Sequence, residues 1–210
     1  MARRPAAAPG WLSAPDLRAA TERGALGAEA GLHAGVPVLM VLDARPDGLD
    51  EQQLRELART VAATRRARAV SRSYCHPFAL IAWHDDRVGV DIERVGPCDE
   101  AFGRSICTPS ELASRPWEDA GRLISLWAGK EALAKALGEP LRHDPRRLEA
   151  PAGWPNGAAG RWRAREIAVA DGYRAWVCWR CGPQGWEAQR APEGVRSGAR
   201  PRGARGAARP

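Results

Sequence analysis

Lysine is nearly missing from this chain. Of 32 basic residues, 30 are arginine and only two are lysine, Lys130 and Lys135. A chain that uses arginine almost wherever a positive charge will do, yet keeps two lysines in one segment, points to places where a compact ammonium is wanted and a guanidinium fork is not. Long apolar runs are missing too. No window approaches the roughly 18 consecutive apolar residues of a membrane span, which excludes a spanning helix. The leading MARRPAAAPGW is charged but has no apolar stretch behind it, so no secretory signal is expected and the expected location is cytoplasmic.

The five cysteines (75, 98, 107, 178 and 181) are odd in number and scattered, which fits a reducing compartment and not a disulfide framework. Cys178-Trp179-Arg180-Cys181 is formally a C-x-x-C, but it closes an apolar run ahead of Gly182-Pro183 and does not head a helix. No second pair completes a zinc site, so these are expected to be core or strand-end thiols.

The net charge of +7 is unevenly placed. Six arginines stand against two glutamates in 182–210, and Arg3 and Arg4 add to the other end, leaving 11–181 nearly balanced. The tail GARPRGARGAARP has no periodic apolar face and is expected to be a disordered basic extension. Such an arm touches RNA, anionic lipid or acidic proteins only non-specifically.

A chain of 210 residues holds one domain or two small fused lobes. After a Pro/Ala/Gly-rich lead (1–35), VPVLMVLDA (36–44) reads as a buried strand, and DEQQLRELARTVAA (50–63) as a helix with acids at its start. A basic knot, TRRARAVSRS, follows; FALIAW (78–83), the polar turn HDDR and VGVDIERV (88–95) read as strand, turn, strand. Thr108-Pro109-Ser110-Glu111 is a capping-box pattern ahead of a helix over 118–137 that ends at Gly138 and Pro140. RWRAREIAVA (161–170) and YRAWVCWRC (173–181) flank the hairpin turn Asp171-Gly172. The expected fold is α+β: two similar lobes, 36–105 and 106–181, each a helix on a small antiparallel sheet, between disordered termini.

VGVDIE sets Asp91 and Glu93 on one face of an otherwise apolar strand, because residues i and i+2 point the same way. Two such carboxylates repel, which raises a pKa or calls for a cation. Mg²⁺ is held by one or two carboxylates together with substrate phosphates. Two readings stand for the pair: a metal site, or a strand end whose acids face water or pair with Arg87 or Arg94.

In ISLWAGKEALAKALG, the residues Leu123, Leu126, Trp127, Leu133, Ala134 and Leu137 form one apolar arc. Lys130 falls near its centre, where an unpaired ammonium is costly. Glu131 and Lys135 lie on its flank, four residues apart. Either Lys130 snorkels outward beside an ordinary surface pair, or the helix lines a cleft with a third carboxylate and two phosphate-seeking ammonium groups.

GVDIE, followed 40 residues after Asp91 by Glu131 in W-x-x-K-E-A-x-x-K, resembles the signature of the 4'-phosphopantetheinyl transferases. The intervening CTPSEL looks like that family's F-[ST]-x-x-E segment. The resemblance implies an enzyme that moves the phosphopantetheine arm of coenzyme A to a serine of an apo acyl or peptidyl carrier protein, releasing adenosine 3',5'-bisphosphate. It implies that Asp91, Glu93 and Glu131 hold Mg²⁺, that Lys130 and Lys135 match the motif's lysines with Lys135 on phosphate, and that Glu131 serves as base for the serine, directly or through a water. Where larger members carry Ser-His-Ser with a phosphate-binding His, this chain reads Ser71-Arg72-Ser73, so Arg72 takes the His place or His76 supplies the imidazole. The family's usual Arg-rich helix and Gly-Lys-Pro segment are not found. Arg65, Arg66 and Arg68 either replace their contacts to the 3'-phosphate or form a solvated face.

The region ahead of Asp91 favours the two-lobed, monomeric class over the small trimeric one, although A-L-A-K-A-L-G echoes the latter. A degenerate member that binds coenzyme A or a carrier without turnover is the alternative. A nucleic-acid module, suggested by the basic tail and nine tryptophans, leaves the acids and Lys130 unexplained and ranks last.

Overall fold

The computed structural model describes residues 35–138 and 140–182. The expected lead and basic tail therefore lie outside the described residues, apart from Gly35 and Gly182. Two antiparallel sheets stand back to back, each covered on its outer face by one long helix. The first sheet is β1 (Val38–Asp43), β2 (Ala69–Cys75) and β3 (Phe78–His84), in the order β1-β3-β2. The second is β4 (Val88–Arg94), β5 (Ala158–Ala159), β6 (Trp162–Ile167) and β7 (Tyr173–Arg180), in the order β4-β7-β6-β5. This is the α+β arrangement of two helix-on-sheet lobes that the sequence led us to expect.

Helix α1 (Glu51–Ala62) starts at Asp50, whose carboxylate takes the Gln53 N–H while Gln53 returns a bond to the Asp50 N–H. Its buried face of Leu54, Ala58, Val61 and Ala62 packs on Leu42, Ala79, Ile81 and Trp83 of the first sheet. The opposite face of that sheet, with Phe78, Leu80 and Ala82, meets Val88, Val90, Ile92, Ala175 and Val177 of the second. Two short helices, α2 (Glu100–Ile106) and α3 (Pro109–Leu112), lead to α4 (Ala120–Leu137). The capping box at Thr108 and Glu111 forms as expected. Helix α4 starts on the Asp119 carboxylate and stops at Gly138, whose φ of 98° suits glycine.

One strand reading changes, and the pairing of two expected strands becomes clear. TRRARAVSRS is not merely a basic knot, since its second half is β2. The strands FALIAW and VGVDIERV do not pair with each other. β3 is the central strand of its sheet, with β1 on one edge and β2 on the other, so it has no edge left for β4. β4 crosses over and pairs with β7, placing Asp91 opposite Trp176 and Glu93 opposite Arg174. The Asp91 strand thus belongs to the sheet built from the C-terminal half, not to the sheet of 36–84.

Helix α4 lies against β4 and β7 at very short range. Gly89 makes this possible: a Cβ there would sit 2.0 Å from the Ala132 carbonyl oxygen and 2.5 Å from the Ala136 nitrogen. Both are helix backbone, which cannot swing aside. Gly89→Ala is therefore expected to lift α4 from the strand and to cost at least about 1–3 kcal/mol of stability, the usual range for overpacking. A urea unfolding midpoint within error of the wild type would contradict this close-approach role.

Both C-x-x-C cysteines are buried at the end of β7 and neither is in a disulfide, and burial pushes the Cys178 thiol far up. They are the strand-end thiols expected. No helix among the described residues is long and apolar enough to cross a membrane.

Candidate functional site

Strand β4 carries two carboxylates on the face that meets α4, and α4 supplies a third. Asp91 is 3% exposed. Its Oδ1 accepts from Lys135 Nζ at 2.6 Å and from Ser73 Oγ at 2.8 Å. Its Oδ2 is buried without a hydrogen-bond partner among the described residues. A buried carboxylate oxygen with no donor is costly, so Asp91 is built for more than its visible contacts.

Glu93 and Glu131 are half-buried beside it. Burial raises the pKa of Glu93, and the Asp91 charge raises it further; a bond from the Trp127 side chain opposes both. Burial and then Asp91 raise Glu131, with Lys135 opposing. The three acids therefore feel one another through a desolvated space, the electrostatic signature of a site that favours a cation.

Lys135 supplies part of that cation. Besides Asp91, its ammonium reaches the Val90 carbonyl oxygen at 3.2 Å and Ser73 Oγ at 3.3 Å. It pairs across to β4 and not along the helix to Glu131. The close approach at Gly89 sets this reach, because Ala132, Lys135 and Ala136 are the residues packed over that glycine.

The donor set fits Mg²⁺. It offers hard carboxylate oxygens, one of them orphaned, in a partly dry place. Among the described residues no three His, Cys, Asp or Glu side chains form a group that could hold an ion unaided. Mg²⁺ does not need such a cage, because it is usually bound through one or two carboxylates and the substrate's own phosphates.

The other expected site residues lie elsewhere. Lys130 is a correction. It is 1% exposed, and its ammonium donates to Glu111 Oε2 at 2.5 Å, the Ile106 carbonyl at 2.7 Å and the Pro145 carbonyl at 2.9 Å. Three N–H donors meet three protein acceptors in a closed interior that phosphate does not reach, whereas the Lys135 side chain is 24% exposed. Lys130 neither snorkels nor lines the cleft; it is the buried anchor of the segments flanking α4. Arg72 is exposed on β2, and strand alternation turns it away from the face on which Ser71 and Ser73 meet β4. His76, in the turn after β2, is exposed and shares a hydrogen bond with the Leu49 carbonyl at 3.0 Å. Arg65 and Arg66 sit in the turn between α1 and β2, with the Arg65 guanidinium 5.6 Å from the Trp83 ring centre. None of these four makes a described contact with the three acids.

The motif comparison missed Ser73 as a working group, and Ser71 as its structural neighbour on the same face of β2. A period-two Ser-x-Ser was the available sign, since a strand turning hydroxyls inward needs polar partners there. A separate concavity of about 630 Å³ opens beside α4, with Arg122, Ser125, Glu149, Glu166 and Arg174 in its wall. None of the three acids lines it.

With the acids, Lys135 and the α4 motif gathered on one seam, sequence comparison bears directly on the site. Residues 87–178 match the model of the 4'-phosphopantetheinyl transferase superfamily. This segment is similar to that superfamily. The match runs from just before β4 to β7 and spans all three acids, Lys130 and Lys135. Among curated proteins, none matches the chain. The match supports a phosphopantetheinyl transferase, with coenzyme A and a carrier protein as the family's general partners.

Proposed function

We propose that this protein is a Mg²⁺-dependent 4'-phosphopantetheinyl transferase that loads a serine of an apo acyl or peptidyl carrier protein from coenzyme A. The observation that carries the reading is buried Asp91, its Oδ2 without a hydrogen-bond partner and its Oδ1 on Lys135, whose charge is felt by two half-buried glutamates. Asp91, Glu93 and Glu131 are the residues that would hold Mg²⁺. When bound, the ion would neutralise charge on the pyrophosphate oxygens and on the departing nucleotide.

The chain's own residues supply the rest. The carrier serine oxygen attacks the phosphorus next to the pantetheine arm. The phosphorus–oxygen bond to the nucleotide breaks, and adenosine 3',5'-bisphosphate leaves. Glu131 accepts the serine proton as general base, directly or through a water. Lys135 holds Asp91 in the absence of substrate and offers its ammonium to phosphate when substrate arrives. Burial of Asp91 strengthens each of these charge interactions relative to water.

The test is direct. The full chain is incubated with coenzyme A, Mg²⁺ and a panel of apo carrier proteins, and the carriers are weighed. A mass gain equal to one phosphopantetheinyl group, lost when the acceptor serine is changed to alanine, supports the transferase. Coenzyme A binding without a gain on any carrier selects the second reading, a binder without turnover. The placement of Arg72 away from the acids favours that second reading.

A further inference from the structure

Strand β4 is an edge strand of its sheet, and the amide groups on its free side need partners. They find side chains instead of another strand. The Val90 N–H donates to Ser71 Oγ at 3.1 Å, and the Ile92 N–H donates to Ser73 Oγ at 3.4 Å. One step further, the Arg94 N–H meets Cys75, whose thiol is raised first by burial and then by Glu93. Alternate residues of β2 thus close alternate amides of β4, and the two sheets are joined by side chains where a backbone ladder would be expected.

Ser73 differs from its neighbour Ser71 in one respect. Its hydroxyl also donates to Asp91 Oδ1 and accepts from Lys135 Nζ. It is buried and spends its proton on the carboxylate while its lone pairs take the Ile92 and Lys135 donors. Oδ1 is thereby committed to two donors, and Oδ2 is left as the only uncommitted oxygen of Asp91 among the described residues.

We infer that Ser73 is the positioning residue for Asp91: it ties Oδ1 to the seam between the sheets and so presents Oδ2 to the divalent cation. The inference rests on the proposed metal-dependent transferase but concerns a residue that touches neither ion nor substrate. Ser71 provides an internal control, since it closes the same seam and makes no described contact with Asp91.

The test measures ion binding by the full chain, with coenzyme A present. Mn²⁺ stands in for Mg²⁺ because it accepts the same oxygen ligands, and free Mn²⁺ is counted by its electron paramagnetic resonance signal. Removing a group that orients a metal ligand typically weakens affinity about 10–100-fold, and Ser73→Ala is expected to show that loss. Ser73→Thr, which restores the hydroxyl, is expected to recover most of it. Ser71→Ala is expected to lower the melting temperature while leaving Mn²⁺ affinity near that of the wild type. Wild-type affinity in folded Ser73→Ala would overturn the inference, as would an equal loss in Ser71→Ala. If Ser73→Ala does not fold, Ser73→Val, the hydroxyl-free match of Ser73→Thr, serves in its place, and wild-type Mn²⁺ affinity there is equally fatal. The carrier assay separates the two ideas. Wild-type protein that binds Mn²⁺ Ser73-dependently yet loads no carrier removes the transferase and leaves Ser73 in place. Carriers loaded by a Ser73→Ala protein of undiminished Mn²⁺ affinity remove Ser73 alone.

Discussion

Asp91→Asn is expected to leave a folded protein that transfers phosphopantetheine about a thousandfold more slowly. Asparagine keeps the size of the side chain, and its carbonyl oxygen still accepts from Ser73 and Lys135, the two bonds made by Oδ1. What changes is the orphaned Oδ2, which becomes an amide nitrogen with no lone pair for a cation. Charge stabilisation by a catalytic metal is worth several kcal/mol, and each 1.36 kcal/mol is tenfold in rate. The loss should appear in turnover and in the Mg²⁺ concentration needed for half-maximal rate. Glu93→Gln is expected to cost less, because Glu93 is only half-buried and already receives a bond from Trp127. Asp91→Asn with undiminished turnover would dismiss the metal assignment, whatever Glu93 does.

The acids were legible in the sequence because they break a rule. Charge inside an apolar strand is anomalous, and a period of two places both carboxylates together without knowledge of the fold. Glu131 and Lys135 were legible through the spacing of the second motif, and the structure does gather them beside Asp91. β2 was hidden for the converse reason. Its inward residues are Ser71 and Ser73, 8% and 7% exposed, while Val70 between β2's start and Ser71 is 41% exposed. Hydrophobic alternation therefore runs the wrong way, because the buried face is satisfied by hydrogen bonds to β4 and not by apolar contact. The partner of β4 was hidden as well. HDDR reads as a polar turn between two strands, and only the occupation of both β3 edges by β1 and β2 sends the second of them to β7. That competition is between elements far apart in the chain, and no local pattern records it.

Lys130 shows most clearly how a recognised motif residue can have a different physical task, and Lys130→Met should expose it. The ammonium joins three separate stretches: Ile106 at the end of α2, Glu111 in α3, and Pro145 beyond α4. Glu111 in turn accepts from the Thr108 and Ala150 amides, so one ion pair fastens both approaches to α4. Methionine fills similar space but leaves Glu111 without its cation and two carbonyl oxygens without a donor. Breaking one side of a buried pair costs about 3–5 kcal/mol, which should appear as a large fall in the denaturant midpoint. Lys130→Arg is not expected to rescue it. The cavity is shaped for three donors on a compact head, and a planar five-donor fork would strand N–H groups in a place only 1% exposed. Combining Lys130→Met with Glu111→Leu is expected to recover part of the loss, because the uncompensated carboxylate goes as well. The protein that remains folded in Lys130→Met should turn over within a few-fold of wild type, since the Lys130 ammonium is closed off from any phosphate in the cleft. A loss of turnover as deep as that of Asp91→Asn, at unchanged stability, would return Lys130 to the cleft. The chain's two lysines then divide the work: Lys135 holds a charge that substrate can call on, and Lys130 holds the walls in which that charge sits.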